Sequence, residues 1–360
     1  MIWLIVILCT ITIAFIDGIP KARRVLLIIL CAWFTVIVAI RTDDWNDTQS
    51  YWLVFHKLIH PVWSLSDIVT KNHYIDDKGF LLISSVIKTF TSDRFWFFGC
   101  IAAVTNFFLY KDLQKYAIYP LAGFFIYIGR FALSRNFMQI RAALAILIVI
   151  YAIKFIQNND WKRYLLWMAI ASSMHLSMVF AIPLYWINKI PLNAKRIISI
   201  TIVALIITYF MAPLINSFAT KISLSYDIAT AYTKSTSEYA EGKGLANPMI
   251  YYQILILWVY SLLGNKLNKS TPYYQVIRNG YLYSTLILII LSSFGVLCAR
   301  ISTIFATLEI FILPNLCAIV PQRFRYFARL TICGVGLLLF YIYFGQFLIN
   351  HPSFHNPLSI

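Results

Sequence analysis

Charge is what this sequence has least of. Only 12% of its 360 residues are Asp, Glu, Lys or Arg, about half the roughly 25% of a soluble globular domain. Acids are scarcest, 14 against 30 Lys plus Arg. With 60% hydrophobic and 17% aromatic residues and a mean hydropathy of +0.74, little of the chain is left for a large water-soluble domain. The six cysteines (Cys9, Cys31, Cys100, Cys298, Cys317 and Cys333) form no C-x-x-C pair and lie in or beside apolar segments. That excludes a disulfide framework and argues against a zinc site. No P-loop, H-E-x-x-H, G-x-S-x-G or strand-following G-x-G-x-x-G occurs, so neither a nucleotide donor nor any other cofactor is indicated. D-x-D is missing too: "DDWND" places its acids at 43, 44 and 47 only, which allows a divalent metal but does not support one.

What is present is apolar sequence in long runs. Segments near 1–17, 25–40, 95–110, 116–133, 137–156, 164–187, 197–215, 248–263, 281–298, 301–320 and 330–349 approach the length that crosses a bilayer, about 20 residues. The amino terminus, "MIWLIVILCTITIAFI", has no basic n-region and no small-residue cleavage site, and is expected to stay as a first span. The fold class is therefore an all-α polytopic membrane protein, a single membrane domain over 1–360.

The net charge of +16 does not point to nucleic acid, because it is dispersed among short loops. "GIPKARR" (18–24), "KDLQK" (111–115), "KFIQNNDWKR" (154–163), "NKIPLNAKR" (188–196), "GNKLNKSTPYYQVIRNG" (264–280) and "PQRFRYFAR" (321–329) are basic, and the positive-inside rule places all six in the cytoplasm. The acids concentrate in 41–94 and 216–247, which become the outer loops. The basic loops on both sides of 164–187 forbid a single crossing there. A re-entrant hairpin with its apex near "SSMHLS" resolves the parity, because each half is too short to span at about 1.5 Å per residue, and irregular backbone at membrane depth is tolerated where it lines a cavity. "KGFLLISSVIKTF" (78–90) reads as an amphipathic helix on the outer surface. The count is about ten full crossings, ten to twelve membrane segments in all, with both termini outside.

Ionisable residues at membrane depth are costly and mark function by default. On this topology Arg41, Arg135, Arg141, Arg300 and His175 converge on the outer leaflet from distant parts of the chain. Arginines near helix ends also snorkel to lipid phosphates, and Trp and Tyr are enriched at any membrane interface. Several guanidinium groups on one side, however, suit a phosphate or diphosphate clamp, since the planar fork binds phosphate oxygens two at a time and stays charged. Asp44 and Asp47 can take a proton or order Arg41, Tyr51 offers a flat face to a sugar ring, and Glu309 fits a buried partner of an arginine.

These residues fall in a pattern that resembles the EpsG family. "RTDDWNDTQSYWLVF" is similar to its D-x-x-x-Y-x-x-x-F signature after a span-ending arginine. "KGFLLISSVI" is similar to its G-F-x-L-L element, "MQIRAALAILIVIYAI" to its R-x-x-x-A helix, and "WMAIASSMHLSMVFAIPLYW" to its A-x-x-x-H-x-S-x-x-x-x-x-P segment. "ARISTIFATLEIFILPNL" is similar to its late arginine followed by a proline-ended span. The pattern departs at T-D-D-W-N-D, where a glycine often precedes the acid, and at Lys78, where Glu or a small residue is common. The family includes Wzy-type O-antigen polymerases. The resemblance implies a GT-C-like helical bundle in the bacterial inner membrane with its site facing the periplasm. It implies a glycosyltransferase that joins undecaprenyl-diphosphate-linked oligosaccharide repeat units into long chains. Membrane lipid and a chain-length regulator protein are the other expected partners. On that reading Arg135, Arg141 and Arg300 hold the donor diphosphate, and His175, or failing it Asp44 or Asp47, receives the acceptor proton. Arg41 and Tyr51 complete substrate binding. The alternatives are a lipid-linked oligosaccharide flippase or transporter, which often shows an internal repeat not seen here, and another membrane glycosyl- or acyltransferase.

Overall fold

The computed structural model describes residues 2–43, 45, 47–64, 77–223 and 243–350. Every element is helical, and no β-strand forms among the described residues. Helices satisfy the backbone locally, which apolar segments in lipid require. The chain opens with α1 (Ile2–Ile16) and α2 (Pro20–Ala39); Pro20 sits in the first turn of α2, where its missing N–H costs nothing. Next come α3 (Thr48–Leu53), running on as a wider π-helical stretch to Leu58, then α4 (Lys78–Phe90) and α5 (Arg94–Tyr116). The short α6 (Pro120–Tyr127) widens into a π-helical stretch, Ile128–Met138, before α7 (Ile140–Gln157). After α8 (Trp161–Met174) follow a 3-10 stretch, Leu176–Ala181, and α9 (Leu184–Ile187). The remainder is α10 (Ala194–Ser223), α11 (Pro248–Leu262), α12 (Gly264–Ser270), α13 (Tyr274–Ile290), α14 (Gly295–Ala306), α15 (Glu309–Leu316) and α16 (Arg325–Asn350).

Among the described residues, four helices are long and apolar enough to cross a membrane: Pro20–Ala39, Ile140–Gln157, Ala194–Met211 and Gln322–Phe347. Leu297–Ala306 and Glu309–Ile319 together make a fifth, bent by 41°. The chain is thus a membrane protein of several spans. α7 is its centre, buried on nearly every side, and α8, α5 and the π-helical stretch pack around it.

Side-chain contacts in and beside the basic segments link neighbouring helix ends on one side of the bundle. Arg329 donates to the Ala14 carbonyl at 2.8 Å and Arg23 to the Ile118 carbonyl at 2.9 Å. Asn315 closes the α5–α6 turn, its amide donating to the Tyr116 carbonyl at 3.0 Å and its oxygen accepting from the Ile118 N–H at 2.9 Å. The Tyr116 ring lies edge-on to Tyr273, their centroids 5.0 Å apart. Arg278 donates to the Leu192 carbonyl at 2.9 Å, and Tyr185 donates to the Asn159 carbonyl at 3.1 Å. Buried Asp17 caps α6 from outside its own chain segment, accepting from the Leu121 and Ala122 N–H groups at 3.1 and 2.9 Å. A carboxylate at a helix N-terminus is the favourable placement.

The segment expected as a hairpin doubles back. α8 ends where His175 turns extended (φ −158°, ψ 117°). The Tyr164 hydroxyl donates to the Ala181 carbonyl at 2.7 Å, and the Tyr164 and Tyr185 rings stack at 5.9 Å. Residue 185 therefore returns to the end from which α8 set out. The helix expected over 78–90 forms as α4, with Phe80, Leu81, Ser84 and Ile87 inward and Leu82, Val86 and Phe90 outward.

Two boundaries differ from the sequence reading. The 264–280 loop is helical: α12 fills its first half and α13 starts at Tyr274, not near 281. Lys266, Lys269, Arg278 and Asn279 dilute an apolar face made of Leu267, Val276, Ile277 and Tyr281. Arg300 does not separate two spans but sits within α14, and the break falls later, at Thr307 and Leu308. There the Thr307 hydroxyl donates back to the Thr303 carbonyl at 2.8 Å, a bond that competes with the helix ladder.

α16 lies unusually close to α6 and the π-helical stretch. A Cβ on Gly129 would strike the Gly336 backbone, and one on Gly336 would strike the backbone of Phe125. Glycine at both positions lets the two backbones meet, as small residues do wherever membrane helices cross closely.

Candidate functional site

At the end opposite the basic loops, four residues far apart in sequence meet around one carboxylate. Asp77 precedes α4. Its Oδ2 takes a salt bridge from Arg141 Nη1 at 2.6 Å and lies 3.4 Å from His175 Nδ1. Its Oδ1 accepts the Leu176 N–H at 3.1 Å and so caps the 3-10 stretch. Arg141 Nε donates to the Tyr51 hydroxyl at 3.3 Å. The Asp77 side chain is only 7% exposed, but Arg141 is 27% and His175 18% exposed, so the two open groups flank a buried acid.

Each side chain arrives by a local necessity. Arg141 stands in the first turn of α7, where the unsatisfied N–H groups of a helix also favour an anion. His175 is fixed by the break between α8 and the 3-10 stretch. Gly79 allows the start of α4 to press against Ser173 and Met174 of α8, which brings Asp77 beside His175; any Cβ there would collide with the Ser173 side chain. Tyr51, on α3, packs on Phe80 with centroids 6.0 Å apart. Burial works to raise the Asp77 carboxyl. The His175 hydrogen bond and the Arg141 charge outweigh it and hold the group below its ordinary 3.8.

Arg41 and Arg135 are bonded into the scaffold around this cluster. Arg41 is buried, with Nε on the Val38 carbonyl at 3.1 Å and its two terminal nitrogens on the carbonyls of Phe137 (3.0 Å) and Asn136 (2.5 Å). Its guanidinium lies 4.2 Å from the centre of the Phe98 ring. It thereby closes the open carbonyl end of the π-helical stretch that leads into Arg141. Arg135 is buried as well, donating to the Thr307 hydroxyl at 2.6 Å and the Thr303 carbonyl at 2.7 Å, which ties it to the α14–α15 break. Arg300 lies one turn before Thr303 on α14, half-buried, and α14 packs against both α7 and the 3-10 stretch after His175. Glu309 does partner an arginine: it pairs with Arg130 and accepts from the Tyr281 hydroxyl at 2.7 Å, with its side chain fully buried.

Among the sequence candidates, the fold brings Arg141 and His175 together through Asp77 and sets Tyr51 against Arg141. Arg41 and Arg135 stand behind them. Asp47 is exposed at the start of α3, in the left-handed backbone region (φ 64°). Asp44 lies outside the described residues. Asp77 itself was readable from sequence as an outer-loop acid beside the G-F-x-L-L element, yet spacing alone gives no sign that it reaches positions 141 and 175. Among the described residues no group of three His, Cys, Asp or Glu side chains is placed to hold a metal ion. A partly open arginine and histidine held by one buried acid can bind an anion at the guanidinium and accept a proton at the imidazole in the same place.

A family model, that of the EpsG family, matches residues 24–358. No curated protein and no solved structure matches the chain.

Proposed function

The chain belongs to the EpsG family, and from that premise we propose that it is a polysaccharide polymerase of the inner membrane. It works as a Wzy-like glycosyltransferase on undecaprenyl-diphosphate-linked oligosaccharides at the periplasmic face. The observation that carries the reading is that Arg141 and His175 share Asp77. This puts a phosphate-binding group and a proton acceptor side by side at the end opposite the basic, cytoplasmic loops.

In the reaction an acceptor hydroxyl attacks the anomeric carbon of the donor chain. The bond from that carbon to the diphosphate oxygen breaks, and undecaprenyl diphosphate leaves with the electron pair. Arg141, with Arg300 on the neighbouring α14, holds the diphosphate and stabilises the charge that develops on it, a contribution of the kind worth about 3–4 kcal/mol per well-placed donor. His175 takes the hydroxyl proton. With Nδ1 donating to Asp77, Nε2 is left as the acceptor. Tyr51 buttresses Arg141 and borders the sugar. Asp77, Arg41 and Arg135 are positioning residues: Asp77 orients both reacting groups, Arg41 seals the stretch before Arg141, and Arg135 fixes α14.

The doubled-back segment at 161–187 is a re-entrant hairpin whose apex presents His175. With it, α1, α2, α5, α6 with its π-helical extension, α7, α10, α11, α13, the bent α14–α15 pair and α16 make about ten crossings of a GT-C-like bundle. The test is surface glycan length in a polymerase-null strain. The wild-type gene restores long chains, whereas Arg141→Ala and His175→Ala at normal membrane levels leave single capped units. Long chains from both variants, or complete loss of surface glycan in the null strain, refute the reading; the latter result identifies a flippase.

A further inference from the structure

The molecule carries a second cationic site at the opposite end, which the polymerase reading does not use. Between the segment leading into α10 and the facing residues of α12 and α13 lies a cleft of about 370 Å³. That is within the roughly 300–1,000 Å³ of small-ligand sites. Arg196 and Arg278 line it with Asn193, Asn268, Gln275 and the Tyr274 ring. Arg278 is only 7% exposed. Its Nε and Nη2 engage the Asn279 side-chain oxygen at 3.2 and 3.1 Å, and Nη2 also donates to the Leu192 carbonyl at 2.9 Å. Arg196 donates to the Pro191 carbonyl at 2.6 Å. All of these acceptors are neutral. Among the described residues no carboxylate pairs with either arginine. The segments 188–196 and 264–280 contain no acid, yet they add Lys189, Lys195, Lys266 and Lys269.

A buried charge is ordinarily paired with an opposite one. Arg130 obeys this rule with Glu309 in the same molecule. A buried guanidinium lining a cleft, with a second beside it and three side-chain amides around it, is a donor set suited to an anion. We propose that this cleft binds a phosphate group at the cytoplasmic face. The planar fork of arginine matches phosphate oxygens, and the amides complete the hydrogen bonding of a tetrahedral anion. Ile190, exposed and next in the chain to the lining residue Pro191, fits a cleft at the membrane boundary. A phospholipid headgroup and a soluble phosphate therefore both reach it by the same chemistry.

The test uses the full chain purified in a phosphate-free maltoside detergent. Its melting temperature is followed against inorganic phosphate, against short-chain phosphatidylglycerol, and against chloride at matched ionic strength. Either phosphate probe raises the melting temperature beyond the chloride control: phosphatidylglycerol alone marks a headgroup site, and inorganic phosphate marks a soluble ligand. In Arg196→Gln and Asn268→Asp, both at the open lining rather than the packed core, the half-saturating concentration rises by about tenfold or more, as the loss of one charge-assisted hydrogen bond requires. Shifts no larger than with chloride, or unchanged half-saturation in both variants, overturn the proposal. These readouts need no polymerase activity.

Discussion

Replacing Asp77 by Asn separates charge from shape at the candidate site. The amide keeps an oxygen for the Leu176 N–H, at 3.1 Å in the wild type. It cannot balance Arg141, now 2.6 Å away, or draw the His175 ring, 3.4 Å away. Breaking a fully buried ion pair costs about 3–5 kcal/mol. Arg141 is 27% exposed, and solvent screening brings the figure down to about 2 kcal/mol, within the range for hydrogen bonds to charged groups. The chain therefore still folds, with a lowered melting temperature. Activity falls further than stability, because the phosphate ligand and the proton acceptor lose their shared anchor together. General-base catalysis is worth about 10² to 10⁴-fold, and we expect a loss of about 10²-fold or more. The assay is polymer formation by the purified protein in nanodiscs from lipid-linked repeat units, read as ladder length and initial rate beside the melting curve. Asp77→Glu retains the charge on a longer arm and gives an intermediate rate. Asp77→Asn with a wild-type rate at wild-type protein levels refutes the assignment of Asp77 and of the pair it orients.

Other outcomes follow from the same structure. Glu309→Gln strands the buried Arg130 charge and lowers stability by about 3–5 kcal/mol, whereas Arg130→Met with Glu309→Leu removes both charges and restores most of it, as a two-variant melting series will show. Gly129→Ala forces the π-helical stretch away from the Gly336 backbone and costs about 1–3 kcal/mol, while Gly334→Ala, with open space around it, stays within about 0.5 kcal/mol of wild type. The Asp17 carboxyl, on the turn between α1 and α2, is raised by burial from 3.8 to about 6 against the opposing pull of the Ala122 and Leu121 N–H groups, Arg23 and Arg329. Its folded value lies above the unfolded one, so ionisation disfavours the fold: the melting temperature falls as pH rises from 3.8 through about 6. That slope disappears in Asp17→Asn. Asp77 has the opposite sign. Held below 3.8, it contributes stability that is present above that value and lost as pH falls through its depressed folded value, and Asp77→Asn lacks this acid-side loss.

The sequence carried the helices well because apolar length and basic loops are both local signals. The helix break at His175 falls where the two basic flanks pointed to an apex, and the Tyr164–Ala181 bond brings the residues on either side of it together. The amphipathic 78–90 helix was legible from its period. What stayed hidden depends on contacts between distant segments. Asp77 is one of several loop acids until Gly79 seats it against Ser173. Arg41 and Arg135 read in one dimension as phosphate ligands or snorkelling cations, and only the folded chain supplies the carbonyls of Asn136, Phe137 and Thr303 that they bond. The 264–280 helices were masked because four polar residues break up a half-buried face.

The Asn315 bridge sets an order on biosynthesis. Its oxygen and amide meet Ile118 and Tyr116 across 197 and 199 residues. While the nascent protein is threaded into the bilayer from its amino end, the bare peptide groups at that bend wait for a clasp that leaves the ribosome 197 residues after Ile118. A product cut short before residue 315 leaves the Ile118 N–H and the Tyr116 carbonyl without that clasp.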